Sequence, residues 1–508
     1  MKPQTRDAKI DADTLLMKQV RPDDWTNPKP HDKYNMVVIG AGTGGLVTAS
    51  AVASLGGKVA LVEKSLMGGD CLNHGCVPSK ALLRCARAAS GARNAHRFGI
   101  DVGAGIEVDF PAVMQRMRTL RAQISHHDSV HRFSELGVDV FRGRARFSGP
   151  NTVEVAGQQL CFARACIATG SAPAIPPVDG LDDVEYLTTN ELFDLDELPR
   201  QLGIIGAGPI GVEMAQAFAN FGSNVTLFES ADRILPRESA DAAKLVQAAL
   251  KRDGVRCRCD VHITAVGHAN DNSDSGSGSI RIHLKSDDTV EVDHLLVAAG
   301  RRPNVTNLGL ETAGIDFHEQ RGIHVDDRLR TSNRSVYGVG DVVTPYRFTH
   351  VADAMARIVV RNALFFGRQK FSQLQIPWCT YTEPEIAHVG LYARELDQRG
   401  LDYQTITQPF DEVDRAILDG NTDGFVRFHI TDSSEILGAT IVGHGAGDLI
   451  SEISVAMHGG LKLSELSDVI HPYPTLAGAI AQASDAYNRT RLTDTVARWL
   501  KRFLKLRL

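Results

Sequence analysis

The chain has 508 residues, 43% hydrophobic and 23% charged, with a formal net charge of −6. That length exceeds what one core organises and implies about three domains. The ordinary composition excludes a disordered chain, and the negative balance argues against whole-protein nucleic-acid binding. Eight cysteines are too sparse for an extracellular disulfide framework, no apolar run approaches the roughly 20 residues that cross a bilayer, and the polar N-terminus lacks a secretory segment. A cytoplasmic protein is expected.

Residues 1–33 are polar, with Pro22, Pro28 and Pro30, and read either as an extension over the surface or as a disordered tail. The fold begins at YNMVVIG, an apolar strand that runs into GAGTGG, a helix-like LVTASAVASLG and a second strand, KVALVEK. Gly40, Gly42 and Gly45 have the G-x-G-x-x-G spacing, and Glu63 follows 18 residues after Gly45. Glycines there let the backbone turn and approach a pyrophosphate at the helix N-terminus, and the acid takes ribose hydroxyls. Alone the spacing is weak evidence. The same unit recurs at QLGIIGAGPIGVEMAQAFANFGSNVTLFES, with Gly206, Gly208, Gly211 and Glu229, again 18 residues after the last glycine. Two such units mean two nucleotide sites. An acid at the position of Glu229 accepts the 2′-hydroxyl of NAD and repels the 2′-phosphate of NADP, so NADH preference is expected, with Arg233 working against it.

Between the units, 26 residues after Gly45, GDCLNHGCVPSK places Cys71 and Cys76 five apart. On a regular helix their Cα atoms would be about 8.6 Å apart, whereas a disulfide tolerates roughly 4.4–6.8 Å. If they bridge, the segment through Gly75 must be tight and irregular, with a proper helix starting only around Pro78, a favoured first helical position, and Cys76 just outside its N-terminus. The positive end of that helix favours a thiolate, which reads as a redox or nucleophilic cysteine; two structural cysteines are the alternative. Asp70 disfavours a thiolate on its neighbour Cys71. His74 is either solvated or a source of compensating charge.

A helical stretch near 110–136 and β-like pieces near 138–167 lead to CIATGSAP. Residues 268–279 form a Gly/Ser/Asn/Asp-rich loop between strands. SVYGVGD and a helix-like VADAMARIVVRNALF follow, the helix opened by Thr349 and His350. After Pro377 the pattern changes to strands and helices without a phosphate loop.

From about residue 34 to 490 these motifs, in this order, resemble the flavin-dependent pyridine nucleotide-disulfide oxidoreductases, the family of lipoamide dehydrogenase, glutathione reductase and mercuric reductase, and most of all its mercuric reductase-like branch. The resemblance implies an α/β fold with two Rossmann-like nucleotide-binding domains, for FAD and NAD(P), plus a C-terminal α+β dimerisation domain. It divides the chain into an extension (1–33), FAD domain (34–170 and 299–370), NAD(P) domain (171–298), interface domain (371–490) and C-terminal helix (491–508), and makes the protein a homodimer. It assigns FAD to Gly40, Gly42, Gly45 and Glu63, with Lys80, Ala145, Thr169, Gly170, Ser171, Gly300, Asp341, Thr349 and His350, the last through its backbone at the helix start. It assigns the pyridine nucleotide to Gly206, Gly208, Gly211 and Glu229. Lys80 pairs with Glu213 near the flavin. Electrons pass from NADH through FAD to a Cys71–Cys76 disulfide, Cys76 being the nearer sulfur and Cys71 the outer one that attacks the acceptor.

The pattern breaks at HPYPTLAG. Tyr473 stands where lipoamide dehydrogenase and glutathione reductase have a catalytic histidine, and Gly478 where they have its glutamate. A phenol with a pKa near 10 is a poor base; His471 is the alternative. Efficient dihydrolipoamide oxidation is therefore not expected. Tyrosine here resembles mercuric reductase, yet the chain begins without a Cys-x-x-Cys capture domain and ends without a cysteine pair, and Cys257 and Cys259 read as incidental, so no resident metal site is expected. The expected activity is reduction of a small-molecule or protein disulfide, or of a thiol-bound metal. Mercuric reduction, NADH:quinone or diaphorase activity at a membrane, and a low-turnover FAD redox sensor stand as alternatives. In TVARWLKRFLKLRL, Val496, Trp499, Leu500, Phe503 and Leu504 have helical spacing, with Arg498, Lys501, Arg502, Lys505 and Arg507 between them. Such a helix either makes peripheral contact with an anionic membrane, on its inner face, or docks on its own protein.

Overall fold

In the computed structural model, which describes residues 11–103, 105–269 and 279–508, the apolar run after Lys33 forms strand β1 (Tyr34–Ile39), buried except at Asn35. A strand apolar on both faces belongs at the centre of a covered parallel sheet, and β1 lies there. It pairs in parallel with β2 (Val59–Glu63) on one side and β6 (Gln158–Ile167) on the other. β2 in turn pairs with β3 (Val138–Arg142), and the order is β3-β2-β1-β6-β5-β4, where β4 is Arg146–Gly149 and β5 Thr152–Val155. Val336–Gly338 returns from far along the chain to pair in parallel with β6. The winding reverses between β1 and its neighbour β6, which is where ligands bind in open α/β sheets. The helix Thr43–Ser54 starts there, at the end of β1.

The second copy has the same construction. Gln201–Ile205 is flanked in parallel by Asn224–Phe228 and His294–Val297, and the helix Pro209–Phe221 leaves its end. A three-stranded antiparallel sheet, Ile263–His268, Ile280–Leu284 and Thr289–Val292, adjoins it in sequence. Of the expected loop 268–279, residues 270–278 lie outside the described residues, as do residues 1–10 of the extension.

Residues 12–20 add a helix to the expected elements. Asp11 caps it by accepting from the Thr14 backbone N–H at 3.2 Å, and it buries Leu16 and Val20. Arg121 donates to Asp13 at 3.1 Å, and further along Trp25 donates to the carbonyl of Val140 at 3.1 Å while Asn27 exchanges two hydrogen bonds with the backbone of Arg142. The described part of the extension is thus tied down by polar contacts as well as apolar burial.

These elements belong to one unit, which takes in residues up to Ser230 and Val261–Leu374; Ala231–Asp260 and Gln375–Leu508 form another. In the latter, a five-stranded antiparallel sheet, in the order Trp378–Thr380, Glu385–Gly390, Ile436–Gly443, Phe425–Ile430, Gln404–Pro409, packs with the helices Ala446–Gly459 and Gly478–Thr490 around Phe410, Phe428, Ile441, Ile453 and Ile480. Ala231–Asp260 is held in this unit through Glu238, which accepts from Trp378 Nε1 at 2.9 Å and from the Tyr392 hydroxyl.

Candidate active site

The two nucleotide loops have one geometry. A Cβ on Gly45 would lie 1.8 Å from the carbonyl oxygen of Gly40, and one on Gly211 would lie 1.9 Å from that of Gly206. Gly40 and Gly206 themselves take φ of +102° and +100°, facing the carbonyls of Ala168 and Ala298. No side chain fits at these positions, so the backbone N–H groups at the helix starts stay bare toward a ligand. The acids follow suit: Glu63 accepts from the Ala41 N–H at 2.7 Å, and Glu229 from the Ala207 N–H at 2.8 Å. Burial pushes the Glu63 carboxyl upward, against hydrogen bonds from Ala41 and Ser65. Both loops fit a dinucleotide.

The cysteine segment is built directly onto the first loop. Gly68 donates its N–H to the carbonyl of Ala41 at 2.9 Å, and a Cβ on Gly69 would come within 2.7 Å of the Gly42 Cα, so two glycine backbones meet back to back. A short helix, Gly69–Asn73, carries Cys71. The chain breaks at His74 and Gly75, and a long helix, Cys76–Arg93, begins. A Cβ on Gly75 would sit 2.9 Å from the Asp70 carbonyl oxygen, which is why the break falls at a glycine. The expected irregular winding is present, but the helix starts two residues before Pro78. Ser79 donates to the carbonyl of Gly75 at 3.0 Å, making Gly75 the cap, and proline is tolerated anywhere in a first turn, where N–H groups lack helical partners. Cys76 is therefore the first helical residue rather than a residue outside the helix.

Cys71 and Cys76 are free thiols here, and each is the largest single influence on the other's acidity. The hydrogen bond from Cys71 does most to lower the Cys76 thiol to about 6, against burial; Thr349, whose hydroxyl lies 3.5 Å from its sulfur, and the Lys80 cation add to this. Cys71 is pushed up, by the same hydrogen bond and by burial. The acid that adds to this is Asp128, not Asp70 as the sequence suggested. Asp70 instead faces the Arg301 guanidinium. His74 is half-buried rather than solvated, and burial lowers its pKa, which removes it as a source of positive charge at neutral pH.

Lys80, one turn along the helix from Cys76, donates to Glu213 at 2.8 Å. Glu213 is buried on the helix that follows the second nucleotide loop, so this ion pair links the thiol helix to the second dinucleotide module. Ser171 donates to Asp341 at 2.6 Å and accepts from Arg301 at 2.7 Å, and burial raises the Asp341 carboxyl. Sequence reading missed Arg301, although it follows Gly300 directly. Thr169 and Asn304 hold each other by two 2.8 Å hydrogen bonds. Ala145 is buried, Gly170 and Gly300 take positive φ, and His350 stacks on Phe348, its ring 9° from parallel. An open pocket of about 410 Å³ beside Cys76 and Lys80 is lined by Val77, Arg84, Arg116 and Leu120.

Tyr473 and His471 lie in the other unit. Tyr473 is exposed and donates to Asp414 at 2.9 Å, a bond that raises its pKa. Both nitrogens of His471 face oxygen acceptors, the Val469 carbonyl at 2.9 Å and Glu452 at 2.8 Å.

The family model described as pyridine nucleotide-disulphide oxidoreductase matches residues 34–356, and that of its dimerisation domain residues 376–484. The chain belongs to this family. This oxidoreductase is 34% identical to the mercuric reductase of Streptomyces lividans over 465 residues, 90% of this chain and 97% of that protein. It is also 34% identical to a dihydrolipoyl dehydrogenase of Bacillus subtilis (strain 168) over 469 residues, 89% and 97% of the two chains. Among solved structures it resembles the HOCl-induced flavoprotein disulfide reductase RclA from Escherichia coli, with a TM-score of 0.78 and 29% identity over 88% of this chain and 99% of that one. LpdA from Mycobacterium tuberculosis gives 0.80 and 28%, over 89% and 99%. The oxidoreductase is thus an enzyme of an FAD-dependent, pyridine nucleotide-using family, mixed α/β in fold, and its dimerisation domain supports a homodimer.

Proposed function

We propose that the enzyme uses NADH, in preference to NADPH, to reduce a disulfide or a thiol-bound metal through Cys71 and Cys76. The carrying observation is the Lys80–Glu213 ion pair, which joins the thiol helix to the module bearing the second nucleotide loop. In this reading residues 34–170 and 299–370 hold FAD, residues 171–298 the pyridine nucleotide, and residues 371–490 pair two subunits. FAD and NADH, when bound, supply hydride transfer and a two-electron carrier.

The protein's own part is sulfur chemistry and positioning. Gly40, Gly42 and Gly45 cradle the FAD pyrophosphate, Glu63 takes its ribose, and Ala145, Thr169, Gly170, Ser171, Gly300, Asp341, Thr349 and His350 line the rest of the FAD site. Gly206, Gly208 and Gly211 do the same for NADH, and Glu229 takes the 2′-hydroxyl that NADPH replaces with a phosphate. In the dithiol state the Cys71 S–H donates to the Cys76 thiolate; passing that proton to Cys76 frees Cys71 to attack an acceptor disulfide. One acceptor sulfur leaves as a thiolate and takes the proton from Cys76 as a mixed disulfide forms on Cys71; the Cys76 thiolate then attacks the Cys71 sulfur, releasing the second acceptor sulfur as a thiolate that solvent protonates and restoring the Cys71–Cys76 bond. Lys80 holds negative charge beside Cys76, and Glu213 keeps Lys80 in place.

Tyr473 donates its hydroxyl to Asp414, which raises its pKa and keeps it a phenol at neutral pH, and both nitrogens of His471 already face oxygen acceptors in its own chain. That favours acceptors whose reduction needs little proton transfer to a leaving thiol. Relatives named mercuric reductase, at 31–34% identity, support Hg(II) as a second acceptor. Steady-state assays with a panel of disulfides and Hg(II) test the proposal: kcat/KM should be higher with NADH than with NADPH, and Cys71→Ser should keep its FAD and lose turnover. A fully active Cys71→Ser enzyme contradicts it.

A further inference from the structure

None of the residues of the helix Asp494–Lys505 is buried. Thr493 caps it, accepting from the Val496 N–H at 3.4 Å, and its side chains are sorted by kind. At about 100° per residue, Val496, Trp499, Leu500, Phe503 and Leu504 share one arc of about 140°, while Arg498, Lys501, Arg502 and Lys505 share an opposite arc of about 100°. Trp499 is 67% exposed and Leu504 60%, and the rings of Trp499 and Phe503 stack within 5° of parallel, forming a flat aromatic surface turned to solvent. Single exposed apolar residues are ordinary, but a continuous stripe of them marks a contact surface. The docked reading of this helix, left open by the sequence, does not hold among the described residues.

We propose that this helix lies in the surface of a membrane containing anionic lipid, its apolar stripe in the acyl boundary and its cations at the headgroup phosphates. Charge selects this occupant. Residues 491–508 carry six Arg or Lys and one Asp in a chain whose net charge is −6, so the basic tail attracts an anionic surface while the remainder of the chain is repelled by it. Twelve residues span about 18 Å, short of the roughly 30 Å hydrocarbon core, and among the described residues no helix is long and apolar enough to cross; the helix lies on the membrane rather than through it. An apolar stripe together with a basic cluster supplies the two signals that surface anchoring requires. The inference is independent of the redox reading.

Co-sedimentation of the full-length holoenzyme with vesicles of phosphatidylcholine alone, and of an equal mixture with phosphatidylglycerol, tests it. At least about tenfold more protein should sediment with the anionic vesicles, and high salt should release most of it. The double variant Trp499→Glu/Phe503→Glu should stay in the supernatant while keeping wild-type circular dichroism and flavin absorbance, and a chain ending at Arg491 should behave like it. Equal sedimentation of wild type and variant overturns the proposal. So does wild-type enzyme that ignores both vesicles, including the case in which it forms larger oligomers that the variant does not, which would assign the stripe to a second copy.

Discussion

Cys76 draws its acidity from neighbours of different kinds: the thiol of Cys71, the hydroxyl of Thr349, the cation of Lys80 and, as first residue of its helix, the positive end of the backbone dipole. The sign follows directly. A thiol lowered to about 6 is a thiolate above that pH and a poor nucleophile below it. In the reduced enzyme, alkylation of Cys76 by iodoacetamide, mapped by mass spectrometry, should therefore rise through pH 6 and level off by neutrality. Lys80→Met should shift that profile to higher pH. A profile that rises only near the ordinary thiol range of about 8.5 would remove the thiolate from the account. At this scale the sequence was informative wherever chemistry demanded one residue type: glycine where backbones touch, acid at the strand ends, cysteine five from cysteine. It was silent where partners are remote in sequence. Arg301 meets Ser171 and Asp70 across 130 and 231 positions, and the acid acting on Cys71 proved to be Asp128 rather than its neighbour.

The helix Cys76–Arg93 is anchored near both ends to one partner helix, Pro209–Phe221. Lys80 binds Glu213, and Arg93 donates to the carbonyl of Asn220 at 2.6 Å, one of the C-terminal carbonyls that a helix leaves without an internal partner. Removing Lys80 alone strips the cation from a buried carboxylate. Because the Lys80 side chain is 38% exposed, the cost should be about 2 kcal/mol, below that of a fully buried pair, seen as a Tm lower by roughly 2–4 °C. Adding Glu213→Leu to Lys80→Met should recover part of the loss, a coupling of about 1 kcal/mol in a double-mutant cycle. Strict additivity would show that the two helices are held by packing alone. The element boundaries were less legible than the elements. The expected start at Pro78 followed a positional preference of proline, whereas the break is set by Gly75, whose Cβ would strike the Asp70 carbonyl.

For the molecule as a whole, the repeated strand-loop-helix-strand unit with its acid made two nucleotide-binding modules readable, because both need the same close approach of backbone to pyrophosphate. The helix Ala12–Val20 was not readable, because it is defined by what it covers, and its short apolar pattern sits among proline and polar residues. The central claim is that electrons from NADH leave through the Cys71–Cys76 pair. The direct measurement is a count of thiols in the denatured enzyme, quenched before and after anaerobic addition of NADH. With eight cysteines in the chain, six thiols per subunit should become eight, and Cys71→Ser should show no gain. An unchanged count in wild-type enzyme whose flavin has been fully reduced would contradict the claim.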